Sequence, residues 1–451
     1  MSGYAEYREV NLPWLKAVPA HWEIRRNKNI FTEQKEIVGE RSADYTLLSL
    51  TLNGIIPRDM DGGGKFPESF DKYKIVKNGD MAFCLFDIDE TPRTVGLSGY
   101  NGMLTGAYTI MRVSNINARF IYYYYLALDN GKMLRPLYTG LRKTININTF
   151  QSTKVPVPPR EEQDQIVRFL DWKVSNINKL INIKKKEIKA IDALKRSTVS
   201  HAITRGLTAD APMKYSGVKW LGDIPQRWYT VPLYAIAQVK SINNCIDLPL
   251  MSVYLDAGVV PFVEREEKRT NATSKDLTNY QRVDPGDFVL NNQQAWRGSV
   301  GVSFHSGIVS PAYIVLSLNN TLDSHYANYL FRSRCMVDQY LVISRGVGSI
   351  QRNLYWSALK RVVVPIPSKK EQMEIVEYLD GLNNKFDATI KKLTEEVAVL
   401  EEYKNKIIAD TVTGKIDVRG IEIPEYEFVD EDNDNVDENL EQGADEPPEE
   451  E

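Results

Sequence analysis

Two rhythms of hydrophobic and polar positions run through this chain. In two long stretches the apolar side chains recur at spacings of four and three. The first holds Leu170, Val174, Ile177, Ile181, Ile188 and Ile191; the second holds Leu379, Phe386, Ile390, Leu393, Val397 and Leu400. Lys184 and Lys195 in the first, and Asn383 and Lys404 in the second, fill the remaining places of the same register. This is an a/d seam of roughly four heptads, which predicts a coiled coil rather than a surface helix. A helix of about forty residues is a rod of roughly 60 Å. The shared register predicts that the two rods pack on each other as an antiparallel pair.

Elsewhere the rhythm is two. Between Ile24 and Lys154 short apolar runs such as YTLLSLTLNGIIP and TVGLSGYNGMLTGAYTIMRV are broken by Gly and Asn-Gly. The pattern predicts a mainly β region with one helix near Ala118–Asp129. A second such region follows (LPLMSVYLDAGVVP, SVGVSFHSGIVSPAYIVLSL), with a helix near Ser324–Cys335.

The resemblance between the halves is an internal repeat. The segment opening VPVPPREEQ at Val155 returns as VPIPSKKEQ at Val364, so that Pro156 meets Pro365 and Gln163 meets Gln372. Trp14-Leu15 through Pro19 to Trp22 returns as Trp220-Leu221 through Pro225 to Trp228. Gly79-Asp80 matches Gly286-Asp287, and Ala107-Tyr108 matches Ala312-Tyr313. The fold class expected is α+β: a tandem repeat of a mainly β domain followed by a long helix. The boundaries expected are a β domain over 1–155, a helical spacer over 156–209, a second β domain over 210–364 and a second spacer over 365–420. Such a pair of rods would relate the two β domains by a pseudo-two-fold axis, a geometry for reading two half-sites on a duplex.

Charge changes this picture in one respect. The formal net charge is −4, but the stretch Ile421–Glu451 carries 15 Asp and Glu and no Lys or Arg. What precedes it holds 56 basic against 45 acidic side chains, a formal +11, compatible with phosphate binding. The acidic tail, 421–451, is expected to be disordered. Three distant cysteines (Cys84, Cys245, Cys335), no signal-peptide core and no run approaching eighteen apolar residues predict a cytoplasmic protein without a membrane span.

Motifs for intrinsic chemistry fail on inspection. Gly64-Lys65 would place the first glycine of a P-loop at Asp59, and Phe66 stands where Ser or Thr is needed. Gly346-Val347-Gly348 lacks the third glycine of a dinucleotide fingerprint. His21, His201, His305 and His325 have no metal-ligand spacing. No catalytic residue and no metal site is expected.

Candidate base-reading side chains remain. Asn291, Asn292, Gln293, Gln294 and Arg297 follow an apolar strand; Asn and Gln pair bidentately with adenine and Arg with guanine. The matching loop of the first half, Asp87–Thr94, is acidic and offers Arg93, with Asp or Glu available to cytosine amino groups. A second pair of segments, each before the last strand of its domain, offers Arg142 and Lys143, and Gln351 and Arg352. Lys72, Lys74, Lys268 and Arg269 are candidates for backbone contacts that position without specifying. The run Lys184–Lys186 reads as a solvated or subunit-facing part of the first rod.

The doubled helix starts (Pro-x-Pro followed by Glu-Gln), the doubled Trp-Leu…Pro…Trp lead-ins and the two dissimilar β regions resemble the specificity subunit of type I restriction–modification enzymes, from Trp14 to about Val418. The resemblance implies a protein without catalysis of its own. Each β region would be a target-recognition domain reading one half of a bipartite DNA sequence, and the helices would set the unread gap. It also implies double-stranded DNA, two modification (methyltransferase) subunits and restriction (translocase/nuclease) subunits as partners. S-adenosylmethionine, ATP and Mg would belong to those partners. Two other classes compete: a free-standing DNA enzyme, which needs a motif absent above, and a coiled-coil protein-binding adaptor, which predicts no salt-dependent DNA affinity.

Overall fold

The computed structural model describes residues 2–52, 54–58, 67, 69–140, 143–262, 276–347 and 351–430. Its first half is built on a four-stranded antiparallel sheet of β1 (Phe31–Gln34), β2 (Asp80–Phe83), β3 (Val95–Leu97) and β4 (Thr109–Val113), in the order β1-β4-β2-β3. Helix α1 (Ala118–Asn130) follows, capped by the Asn117 side chain, which accepts from the Arg119 and Phe120 N–H groups. Then comes α2 (Arg160–Arg205), an unbroken helix of 46 residues.

The second half repeats the plan. Strands β5 (Ala237–Val239), β6 (Asp287–Asn291), β7 (Val300–Val302) and β8 (Tyr313–Leu318) form a sheet in the order β5-β8-β6-β7, the same topology. The predicted helix near Ser324 is two helices, α3 (Ser324–Arg332) and α4 (Arg334–Ile343), broken at Ser333. The chain ends in α5 (Lys369–Val412), of 44 residues. The α+β tandem expected from the sequence is the fold observed.

These elements form two compact units: the chain up to Lys186 with everything from Leu393 onward, and Glu187–Lys392. Each unit therefore holds one four-stranded sheet, the start of one long helix and the end of the other. Within the first unit the helices run antiparallel. Lys404 Nζ donates to Asn178 Oδ1 at 3.3 Å, and Lys184 Nζ lies 3.0 Å from Glu396 Oε2. Within the second, Lys195 Nζ donates to Asp387 Oδ1 at 2.5 Å. Lys184 and Lys195, odd occupants of a hydrophobic seam, thus find acidic partners on the facing helix.

Burial along the seam is graded. Leu170, Ile177, Ile181, Leu379 and Leu393 are buried, whereas Val174, Ile188, Ile191, Phe386, Ile390, Val397 and Leu400 are half-buried. Four of the five buried positions belong to a domain core, Leu170, Ile177 and Ile181 to the first and Leu379 to the second, and the half-buried Val174, Val397 and Leu400 pack against the first from its edge.

The repeated Glu-Gln is a clamp. Glu162 accepts from Tyr4 Oη at 2.6 Å and Trp22 Nε1 at 2.9 Å, and His21 Nε2 lies 2.7 Å from its other oxygen. Glu371, its counterpart, accepts from Arg227 Nε at 3.0 Å. Gln163 accepts from the Asn117 N–H and donates to Pro158 O; Gln372 accepts from the Asp323 N–H and donates to Pro367 O. Asn117 and Asp323 are the N-caps of α1 and α3. Each dipeptide therefore ties its long helix to the lead-in through Glu and to the domain helix through Gln, and the lead-in tryptophans are packing groups.

One expectation needs correction. The acidic tail is not free from Ile421 onward, because α2 presents a row of uncharged polar side chains to its backbone. Ser175 Oγ donates to Glu427 O, Asn178 Nδ2 to Val429 O and Asn182 Nδ2 to Asp430 O, while Gln165 Nε2 donates to Ile421 O. Ile421 and Ile423 pack on the first core. Residues 431–451 lie outside those described.

Candidate nucleic-acid interface

In each unit two segments far apart in sequence come together at the end of the second sheet strand. In the second unit the loop after β6 is closed by Gly298, whose φ of 107° only glycine adopts without strain. Ser299 N donates to Gln294 O and Leu354 N donates to Asn292 O at 2.9 Å, joining this loop to the segment after Gln351–Asn353. At the junction Trp296 donates through Nε1 to Gln293 O at 2.9 Å. Its ring faces the Arg297 guanidinium at 4.7 Å and that of Arg352 at 5.8 Å, a cation–π pair of contacts. Gln293 and Arg297 are exposed; Asn291, Asn292, Gln294 and Arg352 are half-buried. Asn291 Oδ1 accepts from the Gln293 N–H, so that side chain shapes the loop. The structure thus brings together Asn291, Asn292, Gln293, Gln294, Arg297 and Arg352 on one hydrogen-bonded loop cluster. The Gln351 side chain lies outside the described residues.

In the first unit the same convergence is ionic. Ile145 N donates to Leu85 O at 2.8 Å. Asp89 meets Arg135 Nε and Lys143 Nζ, both at 3.1 Å, and Lys143 Nζ also lies 2.6 Å from Glu90 Oε1. Burial opposes ionisation of Asp89, but the hydrogen bonds from Lys143 and Arg135 outweigh it and hold its carboxyl below the usual carboxylate range. Glu90 is held low first by its Lys143 hydrogen bond, and Lys143 is held high by Glu90 and then Asp89.

Four candidates change character here. Arg93 is a structural group: its Nη1 lies 3.1 Å from Asp129 Oδ2 and 2.6 Å from Asn130 Oδ1, and its side chain is only 15% exposed. Asp129 also accepts from the Thr94 N–H and hydroxyl and from Lys132, so it anchors the whole loop to the end of α1. Lys143 is engaged by two acids, and Asp89 is not available to a cytosine. Lys74 donates to Tyr108 O at 2.7 Å rather than facing a phosphate, and burial pushes its ammonium down. Arg142, Lys268, Arg269 and the Gly62–Lys65 stretch lie outside the described residues.

Sequence reasoning missed Trp296, Asp129 and Glu162. Trp296 sat among amides and a guanidinium as a lone aromatic, a visible signal of a stacking platform. Asp129 gave none, being one acid at a helix end. The doubled Glu-Gln is visible in the repeated helix start, but no local pattern names the distant partners of its glutamate.

Among the described residues no helix is long and apolar enough to cross a membrane. The three cysteines are free.

The sequence profile of type I restriction modification DNA specificity domains matches residues 70–190, from β2 to β4 and into α2, and residues 225–399, from β5 to β8 and into α5. The chain belongs to this family. The MjaVIII specificity subunit of a type I restriction enzyme from Methanocaldococcus jannaschii is 24% identical over 441 residues, covering 92% of this chain and 98% of the relative. A second specificity subunit from that organism, MjaX, is 25% identical over 428 residues, 89% of this chain and 95% of its own. A solved structure from work on complex assembly and conformational transition of the type I R-M system shares the fold. It has a TM-score of 0.59 at 14% identity and covers 88% of this chain and 99% of that one. As a specificity subunit of this family, the chain is a DNA-recognition component of a restriction–modification complex.

Proposed function

We propose that the chain reads a bipartite DNA target, each sheet-bearing domain contacting one half, while the paired helices set the unread gap. The observation that carries this is the repeated convergence. One topology occurs twice, and in both copies a loop after the second strand meets the segment before the last strand. The copies differ in chemistry: amides, arginines and a tryptophan in one, compensated acids in the other. A shared scaffold with unlike loops suits two half-sites of unlike sequence.

On this reading the chain does no chemistry itself. Two modification subunits methylate adenine in the two halves and restriction subunits complete the nuclease, so S-adenosylmethionine, ATP and Mg enter with them, in the cytoplasm. The long helices carry unpartnered apolar side chains fit for such docking: Leu180 and Ile183 in the first unit, Met373 and Tyr378 in the second, each 45–58% exposed.

The test is the salt dependence of binding. The purified chain should bind duplex DNA with log K falling linearly in log salt, by roughly 0.9 per phosphate neutralised. A folded chain with no salt-dependent affinity for any duplex sinks the reading and favours a protein-binding adaptor.

A further inference from the structure

A crevice in the second unit adjoins the amide-rich loop, and its lining differs from the rest of that surface. Its volume is about 410 Å³, and Asn243, Asn279, Asn292, Tyr313, Tyr355 and Trp356 are among the side chains around it, with no Lys, Arg, Asp or Glu among the described residues that line it. The volume lies towards the lower end of ligand pockets, which run from about 300 to 1,000 Å³. The frame is fixed. Tyr313 starts β8, and Leu354, between loop and crevice, is held by its hydrogen bond to Asn292 O. Gln281, which also lines the crevice, donates through Nε2 to Tyr313 O at 2.6 Å.

Three of its asparagines are not tied to the frame. The side chains of Asn243 and Asn279 make no hydrogen bond with the described residues, and Asn292 Oδ1 is shielded from solvent without a donor. A buried acceptor without a donor is unusual enough to ask what supplies one.

Strand register shows that the lining is not generic to the fold. Lys74 and Gln281 hold the same place, each donating to the carbonyl of the matching tyrosine, Tyr108 or Tyr313. Leu85 and Asn292 correspond, since each accepts from the matching amide, Ile145 or Leu354. Glu33 and Val239 correspond through their pairing with Met111 and Leu316. The first unit thus has Lys74, Leu85 and Glu33 where the second has Gln281, Asn292 and Val239. One copy is charged and aliphatic; the other is neutral and amide-bearing, with Tyr355 and Trp356 beside it.

We propose that this crevice is a binding site for a single unstacked nucleobase, held between aromatic rings and read along its edge by the asparagine amides. Neutral amides match the donor–acceptor edge of a base, and aromatic faces supply stacking; a phosphate would need cations, and the described residues of the lining supply none. The base could come from DNA bound by this domain, which rests on the function proposed above, or from a free nucleoside.

A mismatch scan separates these sources. Once the target is known from methylation mapping, the purified chain is titrated with duplexes carrying one mismatch at each position in and beside the half read by the second unit. A base drawn from the stack binds more tightly when its pairing is already broken. At one position the mismatch should tighten binding by about tenfold, within what stacking on an aromatic ring supplies. Tyr355→Ala, at an exposed side chain, should reduce that gain to less than about threefold. An equal gain in Tyr355→Ala overturns the proposal. If no position gains, free adenosine and cytidine are titrated by saturation-transfer NMR. Binding that Tyr355→Ala weakens assigns the site to a free nucleoside, and no binding overturns it. If the matched duplex itself fails to bind, the DNA-reading function falls, while the nucleoside titration still decides the pocket.

Discussion

Arg93 and Arg297 occupy comparable loops, and their surroundings assign them opposite work. Arg93 is turned inward onto Asp129 and Asn130, so Arg93→Ala should cost about 2–4 kcal/mol of stability by leaving a buried carboxylate short of a partner. Arg297 is exposed against Trp296, so Arg297→Ala should leave stability within about 0.5 kcal/mol. It should instead weaken binding by about 1–3 kcal/mol if the guanidinium meets a guanine. Denaturant unfolding together with DNA titration of both variants checks the pair, and a folded, stable Arg93→Ala protein with altered specificity would contradict the assignment. The Asp89 carboxyl should titrate below 3.8, and Lys143→Ala should raise its midpoint. Because its folded pKa is depressed, its contribution is complete above the unfolded value near pH 4 and disappears as the pH falls through the folded one. A carbon-detected NMR titration gives the midpoint; a value at or above 3.8 would show that Lys143 and Arg135 do not hold it in solution.

The two long helices show what a sequence can and cannot convey. Their heptads, their register and their pairing were legible because apolar periodicity is local and the repeat supplied a second reading. The break at Ser333 was not, since no Gly or Pro marks it and the turn is set by how α3 and α4 pack on the second core. The candidate loops were legible as Asn-, Gln- and Arg-rich segments. The fate of each side chain was not, because Asp129 lies 36 residues from Arg93 and no local pattern links them. The docked part of the tail was hidden for a similar reason: its partners, Ser175, Asn178 and Asn182, are some 250 residues earlier. Graded burial along the seam makes a prediction of its own. Ile181→Ala, at a fully buried site, should cost about 2–5 kcal/mol, whereas Ile188→Ala, half-buried, should cost about 1 kcal/mol. Equal costs by denaturant unfolding would mean that the seam, not the domain core, sets the burial energy.

For the whole molecule the account makes helix length a functional quantity. Adding one turn to both long helices lengthens each by about 5.4 Å. The gap between the recognised halves should widen by about one to two base pairs, with the bases read unchanged. The most direct test of the central claim is a genome-wide map of methylated adenines in three cells. One carries this chain, one lacks it, and one carries it with Asn291–Arg297 replaced by the loop of a relative. The account predicts that one bipartite motif disappears without the chain, and that the loop replacement changes one half of that motif and leaves the other intact. An unchanged methylome without the chain, in a cell whose system methylates, or a simultaneous change in both halves after the replacement, would contradict it.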